Sequence, residues 1–316
     1  MTFELNIIKW LQENRNGLLD FLFEFFTLFG EEAIIIGILG LVYWSINKES
    51  GKRLAMTIFL SIGINSIIKV IIARPRPFLA DETITNLRPE TSTSYSMPSG
   101  HTQSAATTFF GLAYFFKKRY LLVFAIIITL LVAISRMYIG VHYLSDVLVG
   151  AFLGITLVYG LNYLINKIEN PQRLYRLIGI LAILSFLIFI ISEFISANTS
   201  NIFNGDLFRY NLETIAKMIG ALVGFVVGIE IEQKYVHFSN HQNLIKNVIR
   251  FILGVLLIFL VRIILKELFL LIINPENLVN QPFLSIIAIF LDFLRYFIMV
   301  VIGVGLYPLL FKKYNF

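Results

Sequence analysis

Apolar runs of roughly 16 to 25 residues recur along this chain, separated by short polar clusters, and runs of that length can cross a hydrocarbon core. The pattern predicts spans near Ala33–Ile46, Leu54–Ile72, Ser99–Phe116, Tyr120–Ile134, Tyr143–Ile165, Leu177–Ser192, Ile215–Ile229, Val248–Leu265 and Phe283–Phe311. Residues 3–29 differ, because Glu4, Lys9, Glu13, Arg15, Asp20 and Glu24 interrupt the apolar positions. That spacing suits an interfacial amphipathic helix. Pro75 and Pro77 stop the second span, since proline disfavours helical geometry in the residue before it.

Charge then orients the spans. Lysine and arginine gather in Asn47–Arg53, Lys117–Arg119, Lys167–Arg176, Lys234–Arg250 and Lys312–Lys313, whereas Glu193–Glu213 has few cations. The positive-inside bias places the basic loops in the cytoplasm and predicts about nine spans with an inner C-terminus. The expected fold is an all-α polytopic membrane bundle: an interfacial helix over 1–30, a core over 31–170, and about four further spans over 171–316.

Composition agrees. Of 316 residues, 57% are hydrophobic and 15% charged, against about 25% charged in soluble domains. Net charge +6 would suggest nucleic acid in a soluble protein, but the basic loops account for it here, so no nucleic-acid partner is expected. Met1–Gln12 lacks the basic start and small-residue cleavage site of a signal peptide. With no cysteine, thiol catalysis, disulfides and cysteine-ligated metal are excluded.

Three polar clusters fall where apolar runs begin or end, all on the non-cytoplasmic side of this topology. Pro98-Ser99-Gly100-His101 precedes an apolar run. A helix start there offers free backbone N–H groups to an anion. Ser99 adds a hydroxyl, Gly100 permits close backbone approach, and His101 can reach the group leaving that anion. Lys69 and Arg76 combine a point charge with a planar fork, which suits a phosphoryl group; Arg74 ranks below Arg76. His142 and Asp146 lie one helical turn apart and share a face, so the carboxylate can fix the imidazole tautomer and leave the other nitrogen as base or nucleophile. Arg136 supplies a further fork. Each cluster alone also reads structurally, as an N-cap, a snorkelling lysine or an ion pair. Together they fit phosphoryl transfer through a phosphohistidine. With this many cations near two histidines and one aspartate, no metal or other cofactor is expected.

Lys69-x6-Arg76-Pro77, Pro98-Ser99-Gly100-His101 and Ser135-Arg136-x5-His142-x3-Asp146 resemble, over residues 30–170, the three-part signature of the type 2 phosphatidic acid phosphatase superfamily. These are lipid phosphate phosphatases related in active-site design to vanadium haloperoxidases. The N-terminal Ile8-Lys9-Trp10-Leu11-Gln12 and Phe29-Gly30-Glu31-Glu32 are similar to a bacterial branch. The resemblance implies a six-helix phosphatase core in the cell membrane, metal-independent dephosphorylation at the outer face, and a membrane lipid phosphate or diphosphate as substrate. It implies that His142 attacks phosphorus, Asp146 orients it and His101 protonates the leaving oxygen, while Lys69, Arg76, Ser99, Gly100 and Arg136 hold the phosphoryl oxygens. The alternatives are a lipid phosphotransferase or a non-catalytic lipid transporter or scaffold on the same fold. In the C-terminal spans, Asp292 and Arg295 are spaced to neutralise each other.

Overall fold

The computed structural model describes residues 2–199, 206–273 and 282–314, and these contain helices and loops with no strand. The stretch expected to be one amphipathic helix is two, α1 (Thr2–Glu13) and α2 (Gly17–Thr27). The first ends at Glu13, and Asn16 caps the second, its side chain accepting from Leu19 N–H at 3.0 Å. There follow α3 (Glu32–Gly40), which widens into a π-helical turn at Leu41–Ile46, then α4 (Lys48–Ile72), α5 (Pro77–Ala80), α6 (Gly100–Phe116), α7 (Arg119–Tyr138) and α8 (Leu144–Asn166). The remaining helices are α9 (Pro171–Thr199), α10 (Asp206–Ile231), α11 (Leu244–Ile272), α12 (Pro282–Val301) and α13 (Leu309–Tyr314). Of the expected outer loop Glu193–Glu213, residues 200–205 lie outside the described residues and the flanks are helical.

Among the described residues, seven helical stretches are long and apolar enough to cross a membrane, or eight if Gly17–Gly30 and Glu32–Ile46, bent by 51° to each other, form one span, against the nine or so expected. α6 has 17 residues, about 25 Å of helix at 1.5 Å per residue, and its inward face is rich in serine and threonine.

Contacts divide the chain into two compact units, Met1–Ile38 with Arg53–Ile168, and Leu39–Lys52 with Glu169–Phe316. In the first, α6 lies between α7 and α8. Ala105, Ala106, Phe109, Ala125, Ile128, Val132 and Val158 form its apolar core. Gly150 and Gly154 let α8 reach the α6 backbone, since a Cβ there would stand 2.6 Å from Ser99 O and 2.7 Å from Gln103 O. Such small-x3-small pairs allow close helix crossings in membranes. The alternating chain direction brings the C-terminal ends of α4 and α7 beside the N-terminal ends of α6 and α8. At the other end, Arg53 donates to Asn166 Oδ1 at 2.6 Å, and Asn166 donates to the Tyr114 hydroxyl at 3.2 Å.

In the second unit the π turn of Leu41–Ile46 is embedded among the C-terminal helices. Trp44 Nε1 donates to Gly303 O at 2.9 Å, and Lys48 pairs with buried Glu232 at 2.6 Å. Asp292 pairs with Arg295 at 2.5 Å, as its spacing suggested, and also faces Lys217 at 3.4 Å.

Candidate active site

The C-terminal end of α4 makes the first part of the site. Ala73 takes a left-handed φ of 49° and Arg74 and Arg76 each precede a proline, so the helix ends and the chain folds back through α5. Lys69, one turn inside α4, is buried and donates to the carbonyls of Tyr95 and Ser96. Arg76 donates through Nε to Ser94 O at 2.6 Å and through Nη1 to Val141 O at 3.0 Å. The loop running back from α5 to α6 therefore wraps its own carbonyls around both cations.

His142 lies in the loop between α7 and α8. Gly140, at φ 82°, turns the chain there in a conformation that a β-carbon would strain. The N–H groups of Val141 and His142 then return to Arg136 O at 3.2 and 3.3 Å. The His142 ring is 2% exposed. Its Nδ1 donates to Asp146 Oδ2 at 3.3 Å, and its Nε2 accepts from Arg76 Nη1, also at 3.3 Å. With Asp146 receiving the Nδ1 proton, the lone pair resides on Nε2. Burial, followed by the charges of Arg76, Lys69 and Arg136, holds the His142 pKa well below its usual 6.5.

Asp146 is held from several sides. Its Oδ2 also accepts from Ser96 Oγ and from the Tyr143 N–H at 2.9 Å, the latter capping α8. Its Oδ1 accepts from Arg74 at 2.8 Å. Ser99 caps α6 with its backbone tied across to Asp146 O at 2.9 Å, and its hydroxyl meets Thr102 Oγ1 at 3.0 Å. The free N–H end of α6 thus stands against the start of α8. Gly100 faces Asn65, and an added Cβ would lie 3.5 Å from Asn65 Oδ1. Asn65 in turn donates to Gln103 at 2.8 Å in a buried network with Ser61 and Thr107.

His101 packs against Gly30, where a Cβ would come within 2.6 Å of the His101 carbonyl. Its Nε2 is buried with no hydrogen-bond partner among the described residues, an uncommon condition for a polar atom. Arg136 is wholly buried: it donates to Thr27 at 3.0 Å and Thr91 at 3.2 Å, and its Nε has no partner among the described residues. By direct hydrogen bonds, Lys69, Arg76, Ser99, His142 and Asp146 are joined through Ser94, Ser96 and the turn before His142, which Arg136 meets through its backbone carbonyl while its guanidinium bonds Thr27 and Thr91. Gly100 and His101 continue the helix that Ser99 starts.

A family model described as the PAP2 superfamily matches residues 51–169, and a second, described as PAP2 superfamily phosphatase, transmembrane extension, matches residues 216–316. The chain belongs to the PAP2 superfamily. The first match contains every candidate site residue from Lys69 to Asp146. Among curated PAP2 relatives the chain is similar to the sphingosine-1-phosphate phosphatase 2 of Mus musculus, with 28% identity across 51% of this chain and 48% of the relative. It is also similar to the undecaprenyl-diphosphatase of Sulfolobus acidocaldarius, with 29% identity across 48% of this chain and 73% of the relative. Among solved structures it resembles the transmembrane PAP2 type phosphatidylglycerolphosphate phosphatase from Bacillus subtilis, with TM-score 0.47 and 26% identity over 54% of this chain and 87% of that one. The matched region spans about half the length of the mouse relative.

Other members of the site in this PAP2 chain were not singled out from sequence. Ser94, Ser96 and Thr91 sit in a loop of many serines and threonines, where nothing in the residue types separates a ligand from a turn. Arg74, ranked as a lesser phosphate cation, instead bonds Asp146, Ser145 at 2.6 Å and Glu4 at 2.8 Å. The proline on each side of Arg76 directs the two arginines differently, and only the folded loop shows which reaches His142.

Proposed function

We propose that this chain is an integral-membrane phosphatase that hydrolyses a lipid phosphate or diphosphate through a phosphohistidine, without a metal ion, at the non-cytoplasmic face. The observation that carries the reading is the His142 ring, braced at Nδ1 by Asp146 and faced at Nε2 by Arg76. A phosphoryl group entering beside Arg76 meets the nucleophilic lone pair and a guanidinium together.

His142 Nε2 attacks phosphorus as the bond from phosphorus to the leaving oxygen breaks, and His101 gives its proton to that oxygen. His101, now neutral, takes a proton from water; the resulting hydroxide attacks phosphorus, the P–N bond breaks, and inorganic phosphate leaves. Lys69, Arg76 and Arg136, with the Ser99 hydroxyl and the Gly100 N–H, neutralise the charge that builds on the phosphoryl oxygens. These buried cations supply the positive charge that a metal would otherwise provide. The basic residues Arg53, Lys117, Lys118, Arg119 and Lys167 at the opposite helix ends support the proposed membrane side. The two relatives are named for a lipid monophosphate and a lipid diphosphate, and a site that grips only the terminal phosphoryl group serves either.

Purified protein supplied with sphingoid phosphates, phosphatidic acid, phosphatidylglycerophosphate and polyprenyl diphosphate in EDTA is expected to release phosphate from at least one. No release from any of them, or release only after a divalent metal is added, would overturn the proposal.

A further inference from the structure

We infer that Glu4, on the interfacial helix α1, is a positioning residue for the reaction proposed above, acting through Arg74 on the Asp146 carboxylate. The inference rests on that reading of His142 and Asp146. Glu4 Oε1 accepts from the Ser145 N–H at 2.8 Å and the Ser145 hydroxyl at 2.7 Å, and Glu4 Oε2 accepts from Arg74 Nη2 at 2.8 Å. Arg74 lies over the Tyr143 ring, 3.7 Å from its centroid, and its Nη1 reaches Asp146 Oδ1 at 2.8 Å. The guanidinium is thus a rigid fork with one tine on each carboxylate. Asp146 holds His142 through Oδ2, so whatever sets the plane of this carboxylate sets the ring.

Contacts other than those of Glu4 also hold α1 in place. Leu5 and Ile8 are buried against Ile84, Met137, Tyr143 and Val147. Gln12 donates to Thr85 O at 2.8 Å and accepts from the Thr85 N–H at 2.9 Å, while Lys9 pairs with Asp81 at 2.7 Å. Glu4 adds a charge aimed at the far side of Arg74. Without it, Arg74 is free to turn wholly toward Asp146 and Ser145 and to draw the carboxylate out of the imidazole plane. Glutamine cannot replace it: one amide oxygen serves either Ser145 or Arg74, and the amide NH2 would face a donor.

The test compares kcat and KM of the full-length Glu4→Gln, Arg74→Lys, double and Lys9→Gln variants, using phosphatidic acid in mixed micelles and p-nitrophenyl phosphate. Glu4→Gln is expected to lower kcat about tenfold with KM within about twofold, and the double variant to be no worse than Arg74→Lys alone. Lys9→Gln, which loosens the same helix without touching Arg74, is expected to keep wild-type kcat. If Glu4→Gln does not insert, Glu4→Asp, which keeps the charge but shortens its reach, carries the same comparison. Wild-type kcat in the Glu4 variant, additive losses in the double variant, or an equal loss in Lys9→Gln would overturn the inference. An active wild type with inactive His142→Ala, beside a fully active Glu4→Gln, would remove the role of Glu4 alone. Absence of wild-type turnover on both substrates would remove both readings.

Discussion

Arg76 Nη1 lies 3.3 Å from His142 Nε2, on the ring edge opposite Asp146. A fixed cation there opposes protonation of the atom proposed to attack, adding to the effect of burial. His142 therefore stays neutral as pH falls through 6.5, its ordinary value. A depressed histidine pKa means the reactive form is lost only below that pH. The acid limb of kcat/KM that reports His142 is expected below pH 6.5, and residual activity of Arg76→Gln is expected to show that limb displaced upward. A pH–rate profile of both proteins checks this, and a wild-type limb above 6.5 would contradict it.

Lys69 and Arg76 are buried and clasped by loop carbonyls, so in the proposed reaction their charge would act on the transition state without solvent screening. Lys69→Gln and Arg76→Gln are each expected to lose about 10²–10³ in kcat on a lipid substrate, with a smaller change in KM. Steady-state kinetics on vesicles or mixed micelles reads the split.

His101 is assigned the proton for the leaving oxygen, so its importance follows the basicity of that oxygen. His101→Gln is expected to lose about 10²–10⁴-fold on a lipid alkyl phosphate. On p-nitrophenyl phosphate the first step needs little acid help, while the second still needs a base. A rapid burst of nitrophenol, followed by slow turnover, is the expected trace in stopped flow.

Gly150 brings α8 against the Ser99 carbonyl at a distance that leaves no room for a side chain. Gly150→Val is expected to destabilise the detergent-solubilised protein by ~1–3 kcal/mol, seen as a lower Tm, and to reduce activity by displacing the start of α6. Gly160→Ala, at a position where a Cβ meets nothing within 4 Å, is the matched control.

Much of this arrangement was legible in the chain. Apolar runs broken by prolines and basic loops located the helix ends, and charges are costly enough in a bilayer that Lys69, Arg136 and Asp146 stood out against them. The contacts that depend on loop conformation were not legible. Arg74 and Arg76 have the same residue type two positions apart, yet one reaches Asp146 and the other His142. Glu4 looked like one charge among several on an amphipathic helix, because periodicity records a face and not its partner. The break at Asn16 passed unnoticed for a related reason: Asn14-Arg15-Asn16-Gly17 is short, and the apolar pattern resumes on both sides.

Trapping the covalent intermediate tests the account most directly. Protein mixed briefly with a lipid substrate carrying a 32P-labelled terminal phosphoryl group and quenched in alkali is expected to retain label on His142, stable to base and lost in acid. His142→Ala is expected to retain none and to turn over no substrate. Turnover without trapped label even in His101→Gln, or label persisting in His142→Ala, would contradict the assignment of His142 as nucleophile.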